Sequence, residues 1–574
     1  MTVRLKAIET DVLVLGGGLA ALRAALSARS TGARVLMLGK RLVGRSGSST
    51  MTTGGYAAAL PELNERDSSR LHYIDTIVGG AYLNDRSLVQ ALVDDAPARL
   101  RELWACGVPF RKRDGRYHLS PSGDHSQPRV FVPEHMRGID LTLPLRKAVV
   151  ASGVDMLEDH VALDLLRDDD RVVGAVALRA IGGDVVVISA RATVLAAGGA
   201  GRMFSVTSNP AETCGSGYAL AIRAGAALRD MEFIQFYPWR LIRPFKATRV
   251  PVQPSTFMIG ARLYNSRGER FMEAYDPLKK ETAARDISAR GIADQIRKGL
   301  DIEGGVRLDV SDVNDEQFRF ENSKVVDLLD PKKIDYREIP LVVAPEAHFF
   351  MGGVAIDDCG HTHLRGLYAA GESAGGLHGG NRLNSNSIPE TQVFGHRAGL
   401  TAAGEVQGIA RRADPKPIET VQELLERAGA DDAEPHELTQ LTTELRGVVD
   451  IELGIVRSGT GLQRALRSLD DLAGRAHAAP VSSVRAILAR AELLDLLATA
   501  RACAMSALYR TESRAAHYRD DFPATNSEWR RTVFYTDGRL TTKAIAGDAD
   551  EATWEVARKA GASVQAGGEK EYVE

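Results

Sequence analysis

The 574-residue sequence predicts an α/β fold: a Rossmann-like dinucleotide-binding domain, an α+β domain inserted into it, and a helical domain after it. Three features carry this expectation. A strand, a glycine turn, a helix and a second strand follow without a gap from Asp11 to Leu38. Glycine-rich strand ends recur far downstream, at Gly198-Gly199-Ala200-Gly201 and at Gly371-Glu372. Beyond Ala410 the strand pattern gives way to long segments with apolar residues at helical spacing.

The first unit has the clearest mechanism. Asp11 to Leu15 (DVLVL) reads as a buried strand, and Gly16-Gly17-Gly18-Leu19-Ala20-Ala21 follows at once. In this GxGxxA spacing Gly16 permits the tight turn, Gly18 lets backbone approach a pyrophosphate, and Ala21 lets helix and sheet pack closely. The helix N-terminus then faces the phosphate charge with free amides. The second strand, Arg34 to Leu38, ends in Gly39-Lys40, where an acidic residue ordinarily meets the adenosine ribose. NAD specificity is therefore not legible here. Gly44 to Gly55, rich in serine, threonine and glycine, follows this strand end and is placed to lie against a cofactor.

Helical spacing runs from about Tyr73 to Leu103, and Gly123 to Arg146 reads as loop. In that loop His125, Arg129, His135 and Arg137 each read as surface or structural residues. Arg171 to Ala180 and Asp184 to Ile188 predict a hairpin turning at Gly182-Gly183. Ala192 to Ala197 then reads as a further strand delivering the Gly198 cluster. A helix is expected from Tyr218 to Leu228, and a hairpin turn at Asn265-Ser266-Arg267-Gly268. His348 to Gly395 is the densest stretch: a histidine, a strand into Gly371-Glu372, two glycine pairs, an arginine, and a helix beginning near Ile388. Helices are expected over Pro417 to Ala428, His436 to Leu453, Thr460 to Ala476 and Ser482 to Leu508. A strand pair over Thr532 to Ala544 closes the chain before a small polar tail. The partition is 1–236 with 348–407 for the nucleotide-binding domain, 237–347 for the insert, 408–530 for the helical domain, and 531–574 for the closing strands and tail.

Composition excludes several classes. With 44% apolar and 26% charged residues and a formal charge of −3, the chain is globular and offers no basic surface for nucleic acid. It has no apolar run long enough to span a bilayer. Its first residues enter a strand without a signal-peptide cleavage region, which predicts a cytoplasmic protein. The four cysteines, Cys106, Cys214, Cys359 and Cys503, never approach CxxC spacing, so neither a metal site nor an iron–sulfur cluster is expected within the chain.

Taken together, GGGLAA, AAGGAG, RGERFM, AARDISAR, HFFMGG, YAAGES, HGGNRL with SNS, and ESRAAHYRDDFP resemble the flavoprotein-subunit family of succinate dehydrogenase and fumarate reductase, which includes L-aspartate oxidase. The resemblance covers roughly Thr10 to Thr541. It implies FAD as cofactor, a capping role for the inserted domain, and oxidation or reduction beside a substrate carboxylate. Gly16, Gly18 and Ala21 would hold the pyrophosphate, Ala197 and Gly198 the adenine end, and Glu372 the ribityl–phosphate region. Backbone amides of Ser387 and Ile388 would face the isoalloxazine. Lys40, Ser48, Ser49, Gly54, Gly55 and Ser216 complete the expected cofactor wall. His348 and Arg382 match residues that grip the substrate carboxylate, and Arg285 matches the proton donor or acceptor. Read alone, Arg285 is an ordinary ion-pairing residue of a helix.

This chain departs from the family at four places. Ser48 stands where relatives with covalent flavin carry histidine, which implies non-covalent FAD. Ser216 in CGSG replaces the aspartate of TGDG. Tyr237, in Phe236-Tyr237-Pro238-Trp239, replaces a substrate-binding histidine. No acid occurs between Ser255 and Asn265, where relatives carry part of the proton relay. A site that loses polar partners for a carboxylate rejects it. The substrate is therefore expected to differ from plain succinate or fumarate, with Tyr237, Trp239, Arg240 and Arg243 as candidate lining of an altered pocket. Three functions stay open: a dehydrogenase or reductase acting on a carbon–carbon bond, an amino-acid oxidase of the L-aspartate type, and an electron-transfer subunit docking an iron–sulfur or other carrier chain. The last would place the protein at a membrane only through its partner.

Overall fold

The computed structural model describes residues 5–244, 250–406, 418–421, 423 and 435–545. Its main sheet has seven strands, and the strand Val185–Leu195 is the one that organises it. One edge of this strand pairs in parallel with Leu5–Leu15 from Leu5↔Val185 to Leu15↔Leu195. The other edge pairs antiparallel with Arg171–Arg179 in its first half and parallel with Leu367–Ala369 in its last three residues. Val35–Leu38 and Asp155–Leu157 extend the parallel side. The hairpin strand and the dinucleotide strand that the sequence suggests separately are thus a single eleven-residue strand. Its apolar alternation never breaks between Ile188 and Ala192, because both halves are buried in one sheet.

Three strands, Leu5–Leu15, Val185–Leu195 and Leu367–Ala369, therefore end side by side at one sheet edge, each in a glycine turn. The helices Leu19–Ser30 and Ser387–Gly404 pack against each other across that layer. Gly395 and Gly399 permit the contact: a Cβ on either would lie 2.7 Å or 2.3 Å from the carbonyl oxygens of Ala20 and Ala24.

The inserted segment has its own four-stranded sheet, ordered Ile234–Arg243, Leu341–Phe350, Val306–Asp309, Arg262–Tyr264, and its own apolar core that includes Trp239, Phe257, Ile292 and Leu308. The chain enters and leaves through one antiparallel strand pair, Ile234↔Phe350 to Arg243↔Val342. The sequence-based edges at 237 and 347 fall within these two strands. The turn at Asn265 to Gly268 closes, with Gly268 N–H donating to Asn265 O at 3.0 Å, but no hairpin follows. Asn265 Oδ1 accepts from the amides of Arg267 and Glu269, and the chain goes on into a short 3₁₀ turn, Phe271–Ala274. Arg262–Tyr264 pairs instead with Val306–Asp309.

Helical spacing from Tyr73 to Leu103 resolves into two helices, Ser69–Gly79 and Arg86–Ala105. The break carries left-handed backbone at Ala81 and Tyr82. His436–Glu452, Gly459–Ala478 and Val484–Tyr509 pack as a helical layer. Most of the helix expected over 417–428 lies outside the described residues. The closing strands Arg531–Thr536 and Arg539–Ala544 join a five-stranded sheet with Leu228–Arg229, Gly353–Ala355 and Ala374–Gly375. No helix among the described residues is long and apolar enough to cross a membrane.

Candidate active site

A cavity of ≈600 Å³ opens at the glycine-bearing sheet edge and runs beneath the inserted domain. Its floor is the first glycine turn. Gly16 has φ +134°, and a Cβ there would stand 2.1 Å from Ala196 O, so the two strand ends touch backbone to backbone. Gly198 has φ +79° and nothing within 4 Å on its open side. The Leu19–Ser30 helix starts at this wall, where Ser49 Oγ accepts from Leu19 N–H at 3.1 Å. A Cβ on Gly18 would meet that same hydroxyl at 2.9 Å. Amides at a helix start, backbone without side chains, and a long cleft fit a dinucleotide's pyrophosphate.

Most residues expected at the cofactor line this cavity: Gly16, Gly18, Lys40, Ser48, Ser49, Gly54, Ala197, Gly198, Ser216, Glu372, Ser387 and Ile388. Ala21 and Gly55 lie behind the wall. Ala21 is fully buried in the helix–sheet contact, and a Cβ on Gly55 would run into Phe131 O at 2.6 Å. Ser48 Oγ lies 3.2 Å from Thr213 Oγ1. Lys40 pairs with Glu492 at 2.7 Å. Glu372 projects over Gly199, where a Cβ would meet its Oε1 at 2.3 Å, and this oxygen accepts from Phe350 N–H at 3.1 Å. Burial pushes the Glu372 carboxyl up to about 7, the Phe350 amide opposing and the nearby Glu390 adding to the rise.

Arg285, His348 and Arg382 converge on the same cavity from three elements. Arg285 opens the helix Arg285–Arg297, His348 lies on the long strand of the inserted sheet, and Arg382 follows the second glycine pair. Gln235 ties the two arginines together. Its Oε1 accepts from Arg382 Nη2 at 2.9 Å and from Arg285 Nη1 at 3.3 Å. Its amide nitrogen donates to Asn381 Oδ1 and Arg382 O, both at 2.8 Å. Arg285 Nη2 also donates to Asn384 Oδ1 at 2.5 Å. The Arg382 guanidinium rests 4.5 Å from the Phe349 ring centroid, and that of Arg285 rests 5.2 Å from the Tyr237 ring centroid.

Neither arginine has a carboxylate within ion-pair distance among the described residues, although both are more than nine-tenths buried. Burial and the neighbouring Arg285 push the Arg382 guanidinium down to about 9. Burial, followed by Arg382 and Arg285, holds His348 well below its ordinary value, so the imidazole is neutral. Its Nδ1 lies 2.8 Å from Ser208 Oγ, which leaves the Nε2 edge for a ligand.

Gln235 and Asn384 carry no motif that marks them in the sequence. Gln235 lies two positions before Tyr237 on one strand, but the register shifts between Gln235 and Phe236, so period-two alternation does not carry from one to the other. For Asn384 the one signal is its position two residues after Arg382. His125 and Arg129 stand in the interior rather than at the surface. His125 Nε2 lies 2.8 Å from Asn384 O, while Asp124 Oδ2 accepts from Asn384 N–H at 2.7 Å. Arg129 is paired with Asp67 at 2.7 Å and Asp75 at 2.6 Å.

Of the four residues expected in an altered substrate pocket, Tyr237 alone lines the cavity. Its hydroxyl donates to Val252 O at 2.5 Å, and its ring centroid is 5.2 Å from that of His348. Trp239 is turned into the core of the insert, 4.5 Å from the Phe257 ring, because the strand register slips between Tyr237 and Arg240 around Pro238. Arg240 lies 3.6 Å from Glu346, and Arg243 pairs with Glu303 at the surface.

This combination of fold and cleft defines an FAD-dependent oxidoreductase. The FAD binding domain model matches residues 11–388, and the fumarate reductase flavoprotein C-terminal model matches 442–553. The chain is 38% identical to a subunit of the CoM/CoB fumarate reductase of Methanothermobacter marburgensis, over 92% of this chain and 96% of that one. It is 36% identical to L-aspartate oxidase of Caulobacter vibrioides, over 92% and 96%. The FrdA chain of E. coli quinol fumarate reductase superposes with a TM-score of 0.86 at 27% identity, covering 95% of this chain and 98% of that one. The chain belongs to the flavoprotein-subunit family of succinate dehydrogenase and fumarate reductase, which includes L-aspartate oxidase, and FAD is its cofactor.

Proposed function

We propose that this enzyme moves a hydride between FAD and a carbon beside a substrate carboxylate, with Arg382 and His348 holding that carboxylate and Arg285 exchanging the accompanying proton. The observation that carries this reading is the buried pair Arg285 and Arg382, which share one neutral acceptor, Gln235 Oε1, and meet no carboxylate among the described residues. Two buried guanidiniums with no carboxylate in ion-pair contact are costly, and an anion placed between them relieves that cost. The two oxygens of a carboxylate match a guanidinium fork.

FAD supplies the two-electron carrier; the chain supplies orientation and charge. Arg382 and the neutral His348 donate to the carboxylate oxygens, and negative charge that grows there during hydride transfer stays paired. The Tyr237 ring and the strand Leu341–Phe350 exclude water above the substrate. Arg285 meets Arg382 on Gln235 Oε1, and its second contact, Asn384, fixes the guanidinium edge. The far half of the pocket offers Tyr237 with its hydroxyl already spent on Val252. We therefore hold that the substrate is a carboxylate other than plain succinate or fumarate. Electrons reach or leave FAD through a separate carrier, an iron–sulfur or other electron-carrier subunit, because the four scattered cysteines of this chain supply no cluster ligands.

The test is anaerobic reoxidation of chemically reduced holoenzyme against a panel of unsaturated carboxylic acids and their amides. Acids should reoxidise the flavin and the matched amides should not, with fumarate slower than the best acid. Equal rates for acid and amide would remove the carboxylate grip, and fumarate as the fastest acceptor would remove the altered pocket. Peroxide formed with L-aspartate would favour the oxidase reading instead.

A further inference from the structure

We propose that Asn384 is a specificity-determining residue that donates a hydrogen bond to a second acceptor group on the substrate, next to the carbon served by Arg285; this rests on the function proposed above. The Arg285 contact decides which way the Asn384 amide faces. A guanidinium only donates, so the Asn384 atom 2.5 Å from Arg285 Nη2 has to be the amide oxygen. Nδ2 is thereby turned away from Arg285.

The Asn384 backbone is pinned on both sides, which fixes the point from which its side chain starts, while the Arg285 contact sets the amide. Its N–H donates to Asp124 Oδ2 at 2.7 Å and its carbonyl lies 2.8 Å from His125 Nε2. Asp124 and His125 are both buried, so this clamp is rigid. Asn384 lines the cavity, and its Nδ2 has no hydrogen-bond partner among the described residues.

Three other donors near this wall are already used. The Tyr237 hydroxyl goes to Val252 O, and the Gln235 amide nitrogen goes to Asn381 and Arg382 O. Gln253 Nε2 reaches Thr53 Oγ1 at 3.3 Å. Lys324 lines the cavity from the Ser323–Leu329 helix and is the competing candidate. A fixed N–H of Asn384 beside Arg285 selects a carboxylate, carbonyl or hydroxyl oxygen at the protonated end of the substrate, and disfavours a bare alkyl group there.

Oxidised holoenzyme is titrated with malonate and acetate, two unreactive acids that differ by the second acceptor, and the flavin difference spectrum reports binding. Wild type should bind malonate more tightly than acetate. Asn384→Ala should weaken malonate by roughly tenfold or more while acetate stays within about twofold. Asn384→Asp, which replaces the donor by an acceptor, should weaken malonate further still. Equal loss for both acids would mean that Asn384 acts only by holding Arg285, and would overturn the proposal. Loss of discrimination in Lys324→Ala but not in Asn384→Ala would overturn it too. Wild type that binds neither acid removes the carboxylate reading itself, and this inference with it.

Discussion

Arg285 and Arg382 differ from the structural Arg129 by what they lack. Arg129, equally buried, holds two aspartates at ion-pair distance, whereas these two share only Gln235 Oε1. Lysine in place of Arg382 keeps a charge but loses the fork. Arg382→Lys should lower kcat/KM on the best acid by about 10²–10³, with flavin content unchanged in the absorbance ratio. Glu372 gives a pH prediction. Its carboxyl is raised to about 7 by burial, so the folded apoprotein prefers the proton. That contribution is present in full below the unfolded carboxyl value and is lost as pH rises toward 7, a tenfold difference in proton affinity between the two states corresponding to about 1.4 kcal/mol. Glu372→Gln should therefore raise the apoprotein melting temperature at pH 8 and leave it nearly unchanged at pH 4.5; the same gain at both values would refute the assignment. Ser48, beside Thr213 and without a ring nitrogen to alkylate, leads us to expect that acid precipitation releases all the flavin into the supernatant.

At the scale of elements, the cofactor wall depends on backbone that only glycine tolerates. Gly16→Ala meets Ala196 O and a forbidden φ together, a strain of about 1–3 kcal/mol before any clash is relaxed. The variant should purify with little FAD and melt lower, as read by absorbance and calorimetry. The elements that build this wall are legible in the sequence because each writes a local rule: GxGxxA after a strand, glycine clusters after two later ones, helical spacing from Ser387. What is not legible depends on contacts between distant segments. The sequence suggests two strands at 184–188 and 192–197, but only their shared partner Leu5–Leu15 makes them one. Asn265 to Gly268 carries a hairpin signal, yet the Asn265 amide donates inward to Gln295 and the flanking strand finds Val306–Asp309. Trp239 stays a neighbour of Tyr237, with ring centroids 5.7 Å apart, but it packs on Phe257 in the core of the insert and does not line the cavity. Gln235 and Asn384, neutral amides without a motif of their own, become visible only when Arg285 and Arg382, from elements far apart in the chain, are seen to meet on Gln235, and Arg285 to reach Asn384.

For the molecule as a whole, the cavity lies between the nucleotide-binding layer and the insert, so the interactions joining those layers set its closure. Besides the strand pair through which the insert is threaded, and the bond from Arg285 to Asn384, another side chain ties the two layers by several bonds at once. Arg111 reaches from the loop before Tyr117 to the helices of the insert, donating to Phe320 O at 2.6 Å and Ser323 Oγ at 3.0 Å, with its guanidinium 4.8 Å from the Phe320 ring centroid. Its Nε donates to Glu134 O at 3.2 Å on its own side, so the guanidinium is anchored before it crosses. Lys279 Nζ to Gly123 O at 3.2 Å and His118 to Glu321 at 3.4 Å support the same seam. Arg111 does not line the FAD cavity. Its loss should loosen the insert without removing a cofactor contact. Hydrogen bonds from a charged group contribute about 1.5–3 kcal/mol, so local opening of the seam should become roughly ten- to a hundredfold more frequent. In Arg111→Ala, amide exchange should accelerate by that factor over Asp315–Glu321 and Ser323–Leu329, while Leu5–Leu15 and Val185–Leu195 exchange as in wild type. A saturating unreactive dicarboxylate should restore much of the protection, because a ligand held between Arg382 and Asn384 from below and the insert from above binds the closed form better. Uniform acceleration across both layers would show that Arg111 supports global stability instead, and an unchanged pattern would show that the strand pair alone fixes the insert.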